Sequence, residues 1–241
     1  MKVAAILPAA GLGTRMGRRR SADLATSRKQ FMLLDGSPIL LHTIRKFLRS
    51  PSVNEIVVAL RREDMAWVQQ LLDREALSKP VRLVEGGSSR QESVENALNQ
   101  IGPDVELVAV HDAVRPFIDP STIERVIQEA AQTGAAIVGI VPVDTVKQVR
   151  QNKVRATIPR DRLVLAQTPQ VFRYELLKEA FRKAREDGFV GTDESSLVER
   201  LEQVEVSVVP GSDRNIKITK PSDMELARLF LAEETAQRKA S

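Results

Sequence analysis

The densest run of residues able to do chemistry is Pro8-Ala9-Ala10-Gly11-Leu12-Gly13-Thr14-Arg15-Met16, which follows the apolar segment Val3 to Leu7 and is closed by Arg28-Lys29-Gln30-Phe31. Small side chains let successive backbone N–H groups turn toward one anion, and Arg15 and Lys29 supply the mobile positive charge that such a nest lacks. The chemistry this suits is the binding of a nucleotide's phosphates. Two familiar phosphate loops fail position by position. A dinucleotide fingerprint needs G-x-G-x-x-G opening a helix, but the third glycine position is Met16 and the run Arg18-Arg19-Arg20 follows. Where an NAD enzyme would place an acidic ribose ligand, after the next strand, this chain has Arg61 and Arg62. A P-loop needs Gly-Lys-Ser/Thr, which occurs nowhere in the sequence. The remaining alternative is a glycine-rich turn that only reverses the chain.

Composition narrows the chemistry further. The chain has 241 residues, 42% hydrophobic and 28% charged, as expected of a globular protein that builds one large α/β domain or two small ones. It contains no cysteine, which removes disulfides, thiolate nucleophiles and cysteine-bound metals and suits a reducing cytoplasm. His42 and His111 are its only imidazoles. His42 falls within an amphipathic helical pattern, so histidine-centred metal sites and Ser-His-Asp chemistry are not expected. Met1-Lys2-Val3 leads straight into a core strand, and no apolar run approaches bilayer length, so neither a secretory leader nor a membrane anchor is expected. A net charge of +4 and a pI near 9.5 raise the question of nucleic acid. Arg18 to Arg20 is the one dense basic cluster, and aromatic residues are 4% of the chain, too few for a base-stacking surface. The same positive field draws small anionic substrates.

The elements that must position these residues follow from hydrophobic periodicity. Strands and helices alternate through most of the length, a parallel-sheet signature. Ser37-Pro38 opens a helix from about Ile39 to Leu48, followed by strand Glu55 to Leu60, a helix from about Asp64 to Ala76 and strand Val81 to Val84. Gly86-Gly87-Ser88-Ser89 opens a helix from about Gln91 to Asn99. Strand Leu107 to Val110 runs into His111-Asp112-Ala113-Val114-Arg115-Pro116, Asp119-Pro120 starts a helix to Thr133, and Ala135 to Val141 is the next strand. Each glycine-rich or charged segment follows a strand, so the three should converge on one crevice at the carboxyl edge of the sheet. After Pro142 the pattern changes to a charged hairpin, Asp144 to Val149 and Val154 to Ile158, too small to fold alone and expected to pack on another subunit. A helix from Tyr174 to Glu186, a helix capped by Thr192-Asp193-Glu194 and running to Leu201, strand Val204 to Val209, and a final helix from Ser222 complete the chain. Leu226, Leu229 and Phe230 have the spacing of one buried face on that last helix.

Taken in order, these segments, with Arg90, Ser93, Pro142-Val143-Asp144-Thr145, Arg160, Thr168-Pro169-Gln170 and Asn215-Ile216-Lys217-Ile218-Thr219, resemble the 2-C-methyl-D-erythritol 4-phosphate cytidylyltransferases of the non-mevalonate isoprenoid pathway. The resemblance spans nearly the whole chain. It differs in one place: the loop Gly17 to Ser27 is longer and basic, and is followed by Arg28-Lys29-Gln30 where the family usually has Pro-Lys-Gln. The resemblance implies a single α/β domain over residues 1–241 with a Rossmann-like nucleotidyltransferase fold. That fold is a mostly parallel twisted sheet with helices on both faces and a protruding β-hairpin arm at 143–160. It also implies a cytoplasmic homodimer in which each arm completes the partner's site. By matched position, Pro8, Ala9, Ala10, Gly11, Leu12 and Gly13 would hold the nucleotide, with Gly87, Ser88 and Ser93 around the cytosine and Asp112 and Ala113 near the ribose. Arg15, Lys29 and Lys217 would contact phosphates and, with Arg160, form the catalytic set. Asp112, Arg115, Thr145, Arg160, Thr168, Thr192 and Lys217 would bind the sugar-alcohol phosphate, with Thr145, Arg160 and Thr168 coming from the other subunit. Mg²⁺ is the implied cofactor and Asp112 its candidate ligand.

The implied reaction joins a phosphate monoester to the α-phosphorus of CTP and releases pyrophosphate. A phosphate monoester has a second pKa near 6, so its nucleophilic oxygen is largely deprotonated at neutral pH and no general base is required. Alignment of two anions, and cations where charge develops, are what a protein must supply. Two alternatives share much of this pattern: a ribitol 5-phosphate cytidylyltransferase, and a regulator that binds a nucleotide without chemistry. Lys29, Arg160 and Lys217 argue against the regulator, because sensing does not need phosphate-gripping groups from so many segments.

Overall fold

The computed structural model describes residues 1–11 and 28–240, with side chains through residue 237. Leu12, Gly13, Arg15 and the loop 17–27 lie outside the described residues. The chain opens with β1 (Val3–Pro8), a two-residue hairpin of β2 (Leu33–Leu34) and β3 (Ser37–Pro38), α1 (Ile39–Leu48), β4 (Val53–Leu60) and α2 (Arg62–Leu72). It continues through β5 (Val81–Glu85), α3 (Arg90–Leu98), β6 (Leu107–Val110), α4 (Pro120–Thr133) and β7 (Ala135–Ile140). Beyond the arm strands β8 (Val146–Arg150) and β9 (Lys153–Ile158) come β10 (Leu165–Arg173), α5 (Tyr174–Glu186), α6 (Glu194–Glu199), β11 (Ser207–Pro210) and α7 (Pro221–Ala240). Among the described residues no helix is long and apolar enough to cross a membrane.

Seven of these strands form one sheet in the order β11-β7-β10-β6-β1-β4-β5. All its pairings are parallel except those of β10, which runs antiparallel to both β6 and β7. Both faces of the sheet are covered, as a mostly parallel sheet requires. Val3, Ala5 and Leu7 of β1 pack to one side with Leu40, Ile44 and Phe47 of α1 and Ile123 and Ile127 of α4. Ala4 and Ile6 pack to the other with Val94 and Leu98 of α3 and Leu177 and Phe181 of α5. The chain leaves β1 for β4 and β5 on one side, then returns to β6 on the other. The carboxyl ends of β1 and β6 therefore border the switch point where open α/β sheets bind ligands.

Local chemistry sets the element ends. α4 starts where the Asp119 carboxylate accepts the Ser121 amide hydrogen at 2.7 Å, with Pro120 in the first turn, and stops at Gly134, whose φ of 93° suits a residue without Cβ. The arm hairpin turns at Gln151 and Asn152, with φ of 51° and 58°, the paired left-handed residues of a tight two-residue connection.

The structure corrects four expectations. The helix expected from Asp64 to Ala76 is α2, which starts two residues earlier and ends at Leu72, where the chain turns at Asp73. β10 was not anticipated, because Pro169 lies inside it; the β10–β7 ladder shifts register between Ala166 and Gln170, so the proline occupies the interruption. The strand expected from Val204 is confined to Ser207–Pro210, while Val204 and Val206 pack on the core as loop residues. On α7 the buried positions are Met224 and Ala227, with Phe230 and Leu231 packed beside them, whereas Leu226 and Leu229 are 38% and 62% exposed. The helix turns its face by one position relative to the expected stripe.

Phe47 couples this core to the carboxyl edge: it is fully buried, and its ring centroid lies 5.0 Å from that of His111. Phe47→Ala should cost about 3–5 kcal/mol of stability, read from urea unfolding; a cost under about 1 kcal/mol would mean that the site edge is not built on this packing.

Candidate functional site

Three loop segments meet at the switch point around a cavity of about 250 Å³. Pro8 ends β1 and Ala9 to Gly11 follow it, Gly87 to Ser89 lead into α3, whose first turn carries Arg90 and Ser93, and Asp112 to Val114 follow β6; Lys29, Gln30 and Lys217 complete the lining. The turn after β1 is held from behind. The Gln30 side-chain amide donates to the carbonyls of Ala9 and Gly11 at 2.7 and 3.0 Å, and Arg61 Nε donates to that of Ala10 at 3.1 Å. Gln30 is 2% exposed and sits in a short 3-10 turn, Lys29–Phe31. Phe31 anchors that turn, fully buried with its ring edge-to-face on Trp67 at 5.0 Å, and Arg28 ties the preceding backbone to Glu63 and Asp64. Lys29 reaches the cavity from between these anchors.

The second segment is equally constrained. Ser89 caps α3 by accepting the Glu92 amide hydrogen at 3.0 Å, while the Glu92 carboxylate accepts from the amide and hydroxyl of Ser88 at 2.7 and 2.6 Å. Ser93 Oγ accepts from the Gly87 amide at 3.0 Å. Gly86 is required by close approach: a Cβ there would lie 2.6 Å from that of Ala10 and 3.0 Å from Ser93 Oγ. By contrast, a Cβ on Gly11 would meet nothing within 4 Å among the described residues, so its small size is not demanded by packing there.

Asp112 is the electrostatic centre. Its carboxylate accepts from Arg90 Nε at 3.1 Å on one oxygen, and from Arg115 Nε at 3.3 Å and Lys217 Nζ at 2.9 Å on the other. Burial alone would raise the Asp112 carboxyl. Arg90, then Lys217 and Arg115, outweigh burial and hold it well below the usual carboxylate range. The rest of the Arg90 guanidinium is bidentate on Glu194, at 2.7 and 3.0 Å. Burial pushes the Glu194 carboxyl up against that downward pull, while Glu194 and Asp112 together keep Arg90 charged despite its burial. His111 is fully buried, and burial lowers its pKa to about 4.

Other sequence-predicted residues lie around this centre. Thr168 is 4% exposed, with its hydroxyl bonded to the Asp112 amide of its own chain and to His111. Arg115 Nη1 donates to the Asn215 carbonyl at 2.6 Å, which holds the segment before Lys217. Thr192 is exposed beside Asp193, the cap of α6. Thr145 and Arg160 stand exposed on the arm segment, apart from the cavity lining, where Arg160 donates to the Val143 carbonyl. Sequence reasoning named Gly86, Arg61 and Glu194 without giving them these roles, and it missed the staple made by Gln30. Gln30 was within reach, since it sits next to Lys29. The Arg90–Glu194 pair spans 104 residues and leaves no local signal.

The sequence and fold are matched by known proteins. The family model for 2-C-methyl-D-erythritol 4-phosphate cytidylyltransferase matches residues 3–233. A cytidylyltransferase of that name from Solibacter usitatus is 67% identical over 241 residues, covering 98% of each chain. One from Acidobacterium capsulatum is 48% identical over 242 residues, covering 98% of this chain and all of the relative. Among solved structures, a 4-diphosphocytidyl-2C-methyl-D-erythritol synthase from Anaerococcus prevotii superposes with a TM-score of 0.84 at 29% identity, over 95% of this chain and 96% of the other. The 2-C-methyl-D-erythritol 4-phosphate cytidylyltransferase of Francisella tularensis does so at 0.77 and 33%, over 95% and 99%. The chain belongs to the 2-C-methyl-D-erythritol 4-phosphate cytidylyltransferase family.

Proposed function

We infer that this chain is a cytidylyltransferase that moves CMP from CTP to 2-C-methyl-D-erythritol 4-phosphate and releases pyrophosphate. The observation that carries the reading is the gathering of Lys29, Arg90, Asp112 and Lys217 around one cradle of small residues at the sheet's switch point. A turn whose carbonyls are held from behind would offer its amide hydrogens to the triphosphate, and Lys29 would meet the charge that grows on the phosphates. Lys217 is the most exposed of the three Asp112 partners, 35% against 29% for Arg90 and 12% for Arg115, and would reach an incoming phosphate most easily. The neighbouring His111 has both ring nitrogens engaged and needs no part as a base, because the attacking phosphate oxygen is already ionised.

Magnesium is compatible with this donor set. Among the described residues no group of three or more His, Cys, Asp or Glu could cage a metal. An ion arriving on the triphosphate needs only one or two protein carboxylates, and Asp112 would be that ligand once Lys217 turns to a phosphate. Bound there, it would neutralise charge on the phosphate oxygens.

On this reading the chain acts in the cytoplasm as one catalytic domain whose arm reaches a second copy. Support comes from the arm's surface. Residues 143–160 carry Lys147, Arg150, Lys153, Arg155 and Arg160 against Asp144 alone, and expose Val143, Val149 and Val154. Isolated hairpins are marginal in water, and exposed apolar residues beside an excess of cations suit a partner subunit and an anionic substrate. Arg160 and Thr145 would then grip the sugar-alcohol phosphate in the partner's site, with Thr192 and Arg115 at its rim.

Pyrophosphate release from CTP, assayed with 2-C-methyl-D-erythritol 4-phosphate and with ribitol 5-phosphate, tests the acceptor: turnover should be confined to the first, and preference for ribitol 5-phosphate would overturn the assignment. Lys29→Ala should lower turnover on the order of 10² to 10³-fold with an unchanged unfolding midpoint; near-native pyrophosphate release would remove Lys29 from the chemistry. Mixing Lys29→Ala chains with Arg160→Ala chains should restore activity that neither variant has alone. Absence of complementation, in mixtures shown to form mixed dimers, would contradict a shared site.

A further inference from the structure

Hydrogen bonding around residues 111–116 fixes a tautomer. His111 Nε2 lies 3.0 Å from the Arg115 carbonyl oxygen. A carbonyl only accepts, so Nε2 carries the hydrogen, and in a neutral ring Nδ1 is then the acceptor. The group 3.0 Å from Nδ1 is the Thr168 hydroxyl, which therefore donates to the ring. Its oxygen in turn accepts the Asp112 amide hydrogen at 3.1 Å. The result is a directed chain from Asp112 N–H through Thr168 Oγ1–H to His111 Nδ1, and His111 Nε2–H returns to the same loop at Arg115.

Topology explains why such a chain is needed. β6 ends at Val110, and the antiparallel register that pairs Gln170 with Val110, carried two residues further, sets Thr168 opposite Asp112. There a threonine side chain, rather than a strand carbonyl, receives the amide. Without that acceptor the buried Asp112 amide would be left unpaired, a cost the loop could avoid only by turning the Asp112 peptide. Turning it would swing the carboxylate away from Arg90 and Lys217.

We propose that His111 is a positioning residue for the reaction: acting through Thr168 and the Arg115 carbonyl, it fixes the backbone that aims the Asp112 carboxylate and the Arg115 guanidinium. It follows that Thr168 serves the site through the Asp112 amide, since its hydroxyl is turned inward and engaged at both ends. The catalytic part of the proposal rests on the cytidylyl-transfer reading; the hydrogen-bond chain does not.

Two measurements separate these. Long-range ¹H–¹⁵N spectra of the native protein should show His111 as the Nε2–H tautomer, and an Nδ1–H or averaged ring overturns the chain without reference to activity. In steady-state kinetics, His111→Phe keeps an aromatic ring on Phe47 but removes the acceptor, and Thr168→Val removes the donor. Each should lower kcat roughly 10- to 100-fold, as expected of a small misplacement, with little change in KM for CTP. Thr168→Ser should regain most of the loss, and the double variant should be no worse than the poorer single one, because both break one chain. Losses that multiply, native kcat in Thr168→Val, or no rescue by serine overturn the proposal. Should His111→Phe fail to fold, the spectra and the Thr168 pair still decide. A native protein without turnover on either polyol phosphate refutes the functional reading and leaves the tautomer to judge the chain.

Discussion

Asp112 holds its carboxylate out of water and is ionised there only because Arg90, Arg115 and Lys217 surround it. The dependence runs both ways, since three cations this close together repel one another unless an anion stands between them. Each comes from a different stretch: the start of α3, the loop after β6, and the segment leading to α7. One buried ion cluster thus joins distant parts of the chain and places positive charge beside the cavity before any phosphate arrives. A transfer between two anions needs charge that is already in position, because reorganising it during the reaction would raise the barrier.

The sheet makes this gathering possible. β1 lies between β4 and β6, so loops separated by dozens of residues leave the sheet side by side. β10 adds a reversed strand that enters at the same edge where its parallel neighbours leave. It brings Thr168 to Asp112 and, through Gln170, fixes the approach to α6: Gln170 donates to Asp193 at 2.7 Å and accepts the Ser195 amide hydrogen at 3.0 Å. The Asp112 side chain is thereby set from the α3 and α6 side, and its backbone from β10.

Much of this was legible in the sequence where a signal is local. Glycine-rich or charged segments after apolar strands read correctly as one converging edge, and α1, α4, α5, β6 and most of β7 fall where their periodicity and caps put them. The misses have physical causes. Pro169 hid β10 because a proline argues against a central strand unless the ladder is interrupted there, and interruption is a property of the neighbour β7. On α7, several apolar residues allowed two faces, and only packing against Ile218 and Phe117 selects Met224 and Ala227 over Leu226 and Leu229. Glu194 read as part of a helix cap, since nothing local says that its carboxylate closes on Arg90.

The most direct measurement compares calorimetric CTP binding with steady-state turnover in Asp112→Asn, which removes one charge and keeps the shape. If Asp112 gathers the cations that meet the substrates, the variant binds CTP at least as tightly as the native chain, because its cations are less neutralised, while turnover falls on the order of 10²-fold. Weaker CTP binding with turnover intact would contradict the role of this carboxylate as the organiser of the site.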